Sequence, residues 1–185
     1  MKQQYKNEFR VIAGEWRRRR CSFPSRDGLR PTPDRVRETL FNWLALRVVG
    51  SRCLDLFAGS GALGIEALSR GAADVVFVER DREAAAAIEA NLARLGRDEV
   101  EVAAVDAQDY LAGNPQPFDI VFLDPPFASD MLVEVLQPLQ AWLRPGTLVY
   151  LEFPAGSGAP PLPAGWQTLK SSHAGRVDYL LAGNM

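Results

Sequence analysis

From residue 48 onward, short apolar runs alternate with segments whose apolar residues recur every three or four positions. Runs at 52–57, 75–79, 100–105, 118–124 and 147–153 predict buried strands, and segments 61–70, 82–95 and 130–143 predict helices between them. Gly96 should stop the second of these helices, and Pro138 should interrupt the third. Such alternation implies a parallel sheet with helices on both faces. After a Pro- and Gly-rich stretch at 154–165 come two strand-like runs, 166–171 and 176–181, with no long helix between them, so they should pair antiparallel. Ahead of the alternation a further helix is expected: Thr32 has the chemistry of an N-cap, Pro33 suits the first helical position, and Val36, Leu40, Trp43 and Leu44 keep helical spacing. Its polar face offers Arg35 and Arg37, either to extend a basic surface or to pair with Glu38.

A length of 185 residues, 47% hydrophobic and 24% charged with a mean hydropathy of -0.11, fits one globular domain with a short appendage and excludes wholesale disorder. No run approaches a membrane span, and the opening MKQQYKNEFR lacks the apolar stretch of a leader, so a cytoplasmic protein is expected. Cys21 and Cys53 show no metal-ligand spacing, and no metal is expected. The net charge of -2 conceals a division: residues 1–47 hold 12 Lys/Arg against 5 Asp/Glu, whereas residues 48–185 hold 9 against 18. A basic arm on an acidic body is the pattern of a chain whose one end meets a polyanion. Within the arm, Arg17, Arg18, Arg19 and Arg20 lie between Trp16 and Phe23, a mixture of phosphate forks and stackable rings suited to nucleic acid. His173, the one histidine, is expected to be a loop residue without a partner.

The first strand runs through Asp55 into Gly59-Ser60-Gly61-Ala62-Leu63-Gly64 and then a helix. Glycines let a backbone approach a ligand closely, and a helix N-terminus turns free N–H groups toward it. Glu79 ends the second strand 20 residues after Gly59, where a carboxylate can accept from ribose hydroxyls. A dinucleotide and S-adenosylmethionine both satisfy this pattern. Asp55 favours the second, because its charge suits a cationic amino end and repels a pyrophosphate. Asp106 ends the third strand beside Ala107, able to receive an adenine amino group or to cap a helix over 107–111.

The fourth strand delivers Asp124-Pro125-Pro126-Phe127 to the carboxyl edge, where open sheets keep their sites. Two prolines have no N–H, so the segment presents carbonyls and one carboxylate, a set of acceptors matched to the two donors of an exocyclic amine. Hydrogen bonds from both N–H groups, to Asp124 and the Pro125 carbonyl, would favour a pyramidal nitrogen with an available lone pair. Phe127 would stack on the base, which must be unpaired or flipped out.

Together the glycine loop with Asp55, the acidic Glu79 and the Asp124–Phe127 tetrad resemble the S-adenosylmethionine-dependent amino methyltransferases of the class I fold. Upstream, Arg10-Val11-Ile12-Ala13-Gly14-Glu15-Trp16-Arg17 and the stretch from Arg30-Pro31-Thr32 to Trp43-Leu44 resemble the N-terminal signature of the bacterial RsmD-like family, whose members methylate N2 of one guanine in small-subunit (16S) ribosomal RNA. The resemblance covers nearly the whole chain; members often carry Gly where this chain has Ala13.

It implies an α/β, Rossmann-like fold with a seven-stranded, mostly parallel sheet and an antiparallel last strand, residues 1–47 contacting RNA and 48–185 forming the methyltransferase domain. It implies S-adenosylmethionine bound by Asp55, Phe57, Gly59, Ser60, Gly61, Glu79, Arg80, Asp106 and Ala107, and catalysis by Asp124, Pro125, Pro126 and Phe127. RNA contacts would come from Arg10, Arg17, Arg18, Arg19, Arg20, Arg30, Arg35 and Arg37. The implied partner is 16S ribosomal RNA or an assembly intermediate of the small subunit, met by a monomer without a membrane. Two rivals remain: an amino methyltransferase acting on adenine N6 or cytosine N4 of DNA, and a nucleic-acid-binding protein that keeps the fold without catalysis.

Overall fold

The computed structural model of the chain describes residues 7–126 and 130–184. A two-stranded antiparallel hairpin, β1 (Asn7–Arg10) and β2 (Arg20–Phe23), precedes helix α1 (Asp34–Leu44). Then follow β3 (Arg52–Asp55), α2 (Ala62–Ser69), β4 (Asp74–Val78), α3 (Arg82–Arg94), β5 (Val102–Ala103), α4 (Ala107–Leu111), β6 (Phe118–Leu123), α5 (Met131–Leu139), β7 (Leu143–Pro154), β8 (Trp166–Ala174) and β9 (Val177–Asn184). Seven of the strands form one sheet in the order β5-β4-β3-β6-β7-β9-β8. The first five are mutually parallel, and β9 runs antiparallel to both of its neighbours. The mostly parallel Rossmann-like sheet with a reversed last strand is therefore as the sequence implies.

Strands β3, β4 and β6 are buried on both faces, as a sheet covered by helices requires. One apolar cluster joins α1 and α2 to the sheet through Phe41, Ile65, Phe77 and Phe122; the other face packs α4 and α5 through Leu111, Val135 and Leu139. Asp81 caps α3 by accepting from the N–H groups of Glu83 and Ala84, both at 2.9 Å. Chain order reverses between the neighbours β3 and β6, which opens a crevice at their carboxyl ends. Among the described residues no helix is long and apolar enough to cross a membrane.

Several local expectations are corrected. Helix α1 starts at Asp34 with Pro33 in the cap position and no side-chain cap, because the Thr32 hydroxyl is turned elsewhere. Strand β5 is only two residues long, and Pro138 sits inside the last turn of α5, which ends one residue later. The hairpin itself has no counterpart in the apolar pattern. Its backbone is bound by side chains of the body: Glu66 accepts from Ile12 N at 2.8 Å and Ala13 N at 3.0 Å, Ser69 Oγ from Trp16 N at 2.9 Å, and Asn91 exchanges two hydrogen bonds with Ser22. Phe9, Trp16 and Phe23 are buried in the same cluster as α1 and α2. Trp16 and Phe23 are thus core rings, and neither is available to stack on a base. His173 lies in β8 rather than a loop, with Nδ1 2.7 Å from Asp178 Oδ1.

Candidate active site

Five strands converge on one edge, and each brings a carboxylate there: Asp55 from β3, Glu79 just past β4, Asp106 before α4, Asp124 just past β6 and Glu152 from β7. The glycine loop after β3 turns through left-handed backbone at Gly59 (φ 54°) and Gly61 (φ 79°), conformations that side chains with a Cβ resist. Gly64 answers a different demand, since a Cβ there would lie 2.2 Å from the ring of Phe77 and push α2 off the sheet. Two carboxylates fix the loop. Asp55 Oδ2 accepts from Gly64 N at 3.0 Å, and Glu79 accepts from Gly59 N at 2.7 Å and from Asp81 N at 2.8 Å. Glu79 keeps one further lone pair on each oxygen.

Beside this loop is a cleft of about 310 Å³ lined by Phe57, Asp106, Ala107, Met131 and Val135. Three of these are residues singled out from the sequence. Met131 and Val135 were not, since apolar positions on α5 give no signal beyond core packing. Asp106 caps α4, its Oδ1 accepting from Gln108 N at 2.9 Å, so the capping role is realised. Ser60 is buried within the loop, and Arg80 is exposed next to Glu79. A cleft with apolar walls at Phe57, Ala107, Met131 and Val135 and a polar rim of Asp106, Gln108 and Asp109, beside a close-approach loop and negative charge, fits an adenosyl group that bears a cationic tail.

Asp124 is half-buried, Pro125 buried and Pro126 exposed; Phe127 lies outside the described residues. Asp124 Oδ2 accepts from the Thr32 hydroxyl at 3.2 Å, which ties the segment ahead of α1 to the end of β6. Withdrawal from water pushes the Asp124 carboxyl up to about 6. Burial acts more strongly on Asp55, raised to about 7, with the charges of Asp124 and Glu79 adding to the shift against the hydrogen bond from Gly64. A cation arriving at this edge would relieve that mutual repulsion.

The arginines fall into two groups. Arg17, Arg18 and Arg19 are exposed at the hairpin turn and, among the described residues, form no ion pair; Arg30 and Arg35 are also exposed. Arg20 pairs with Glu8 at 3.2 Å, and Arg10 lies 3.9 Å from Asp34. Arg37 is corrected outright, being wholly buried. It donates to the carbonyls of Thr32 and Arg10, both at 3.0 Å, to Asp34 Oδ1 at 2.5 Å and to Glu66 Oε2 at 3.3 Å. A guanidinium used in this way cannot touch RNA; it holds Thr32 in place beneath Asp124. Cys21 and Cys53 are buried free thiols, pushed by burial up to about 11 and about 12, and so are inert.

Residues 9–183 match the family described as conserved hypothetical protein 95. The chain is 46% identical over 176 residues to ribosomal RNA small subunit methyltransferase D of Escherichia coli K12, spanning 94% of this chain and 89% of that protein. It is 43% identical over 187 residues to the Haemophilus influenzae protein of the same name, spanning 97% and 95% respectively. The solved structure of yhhF from Escherichia coli superposes with a TM-score of 0.90 at 42% identity, covering 96% of this chain and 98% of that one.

Proposed function

We propose a function on one premise, that the chain belongs to the conserved hypothetical protein 95 family of RsmD-like methyltransferases: it transfers a methyl group from S-adenosylmethionine to the N2 amine of a guanine in small-subunit ribosomal RNA. The Escherichia coli and Haemophilus influenzae relatives, named for methylation of small-subunit ribosomal RNA, support the substrate class. The observation that carries the chemistry is the adjacency of β3 and β6, which sets the glycine loop beside Asp124 and Pro125 at one sheet edge.

When bound, S-adenosylmethionine supplies a methyl group made electrophilic by its sulfonium charge. Phe57, Asp106 and Ala107 would hold the adenine, the spare lone pairs of Glu79 the ribose hydroxyls, and Asp55 the amino end. An aryl amine is a poor nucleophile because its lone pair is delocalised into the ring. Asp124 and the Pro125 carbonyl accept from its two N–H groups and so favour the pyramidal, reactive nitrogen. Phe127 is assigned the stacking role by its place in the tetrad. The direct test offers labelled S-adenosylmethionine with ribosomal RNA, with small subunits and with DNA, followed by mass spectrometry of the nucleosides. N2-methylguanosine from RNA or subunits is the expected product; a methylated adenine or cytosine from DNA would replace this reading.

Glu79→Ala should weaken S-adenosylmethionine by about 1.5 to 3 kcal/mol, roughly 10- to 150-fold in Kd, through lost bonds to a charged acceptor. Turnover at saturating cofactor should largely recover. Calorimetry measures the first quantity, and an unchanged Kd would remove Glu79 from the site.

RNA contact by the arm is assigned to the hairpin turn. If Arg17, Arg18 and Arg19 each touch a phosphate of single-stranded RNA, replacing all three by Ala should make the slope of log K against log salt less negative by about 2, at roughly 0.7 per contact. Filter binding at several salt concentrations reads this directly. Identical slopes for parent and variant would show the turn to be merely solvated.

A further inference from the structure

Strands β6 and β7 are parallel neighbours with Phe122 beside Tyr150 and Leu123 beside Leu151, so the next pair along is Asp124 and Glu152. Glu152 is only 3% exposed. Its Oε1 accepts from the Tyr150 hydroxyl at 2.7 Å, and the strand register sets its carboxyl beside that of Asp124, close enough for each to act on the other's ionisation. Thr32 reaches the same pair, donating to Asp124 at 3.2 Å. The other titratable groups acting on the cluster are Asp55, Tyr150 and Tyr179; among the described residues no arginine or lysine pairs with either carboxyl. Two carboxyls side by side, withdrawn from water and without a cation between them, are most stable when they share one proton.

We propose that Glu152 is a positioning residue for Asp124: at neutral pH the pair holds one proton, carried by Glu152 and donated to Asp124, which stays ionised and fixed in orientation as an acceptor for the substrate amine. The inference rests on the role given to Asp124 above. Each carboxyl receives one hydroxyl, from Thr32 or Tyr150, so burial decides: the proton belongs on Glu152, which is almost wholly enclosed, whereas Asp124 is half-buried. Desolvation, reinforced by the neighbouring charge of Asp124, raises Glu152 well above the ordinary carboxylate range, in keeping with that order. Ionising both would place two like charges in contact away from water. An acceptor that already receives two hydrogen bonds is a weak base, so Asp124 orients the amine instead of deprotonating it beforehand.

Carboxyl-carbon NMR of the full-length free protein tests the shared proton without any ligand. The pair should titrate in two well-separated steps, and Asp124→Asn should lower the titration of Glu152 by at least one pH unit. A Glu152 that titrates as an ordinary carboxylate and ignores Asp124→Asn overturns the proposal. Turnover against pH supplies a second reading. Glu152→Leu should lower kcat about 10- to 100-fold, with the KM for S-adenosylmethionine nearly unchanged. Parental turnover should fall at alkaline pH as Glu152 gives up its proton; Glu152→Gln, whose amide is a permanent donor, should recover at least tenfold over Leu and lose that fall. Parental kcat and pH profile in Glu152→Leu, or a Gln variant as slow as Leu, would also overturn it. If Asp124→Ala is inactive while the Glu152 variants match the parent, only this inference fails. If Asp124→Ala turns over normally, the role of Asp124 fails with it.

Discussion

Asp124→Ala should lower turnover by about two to four orders of magnitude while leaving S-adenosylmethionine affinity nearly intact, the range observed when one positioned hydrogen-bonding or acid/base group is lost. The expectation follows from its place at the end of β6, where it is the one carboxylate of a segment whose two prolines offer carbonyls and no N–H, and where Thr32 donates to it. Since its carboxyl is raised to about 6, the sign of the pH effect is fixed: below that value the acceptor is protonated, so parental turnover should decline as pH falls through it. Single-turnover rates at saturating RNA measure the loss, and calorimetry checks the cofactor. A fall of less than about threefold with cofactor binding unchanged would show that Asp124 does not hold the amine.

The largest effect on stability is expected at Glu66, remote from the chemistry. Its buried carboxylate accepts from two backbone N–H groups of the arm, from Arg37 at 3.3 Å and from Arg70 Nε at 2.7 Å. Glu66→Ala leaves the fully buried Arg37 with only Asp34, whose side chain is largely in water, as a charged partner. Breaking a buried pair from one side costs about 3 to 5 kcal/mol, against a typical total near 5 to 15. For a chain of this size that corresponds to a Tm lower by roughly 6 to 20 °C. Urea unfolding of parent and variant gives the difference directly, and a change below about 1 kcal/mol would mean that the arm and α1 are anchored elsewhere.

The parallel sheet, its strand boundaries to within a few residues and the reversed last strand were legible because each element spans enough positions for its apolar period to show. Gly59, Gly61 and Gly64 were legible because their chemistry is local to one turn. What escaped depends on partners far along the chain. The hairpin strands are four residues each, and their anchors lie 53 to 69 residues away, at Ser69 and Asn91. Arg37 reads from sequence like any cation on a helix; only the arrival of Glu66, 29 residues on, makes it an interior residue. Trp16 and Phe23, flanking a basic run, could equally be binding rings or core rings until the helices they pack on were in place. The pairing of Thr32 with Asp124 spans 92 residues, and capping chemistry supplied a nearer and mistaken role for that hydroxyl.

The way the hairpin is fastened also bears on how such a protein can change. Glu66, Ser69 and Asn91 hold main-chain atoms of Ile12, Ala13, Trp16 and Ser22, atoms that every residue type presents alike, proline's missing N–H excepted. Identity at Arg17 and Arg19 is therefore uncoupled from attachment, whereas Gly14 must stay glycine, since a Cβ there would collide with the Ser69 carbonyl. If the turn meets RNA as proposed, substitutions at Arg17 and Arg19 would retune that contact without loosening the joint, while Arg18, at φ 71°, accepts only residues that tolerate left-handed backbone. Under the proposed RNA contact, the same frame could acquire a new target through drift at its outward positions, while the inward ones keep the arm fastened to α2 and α3.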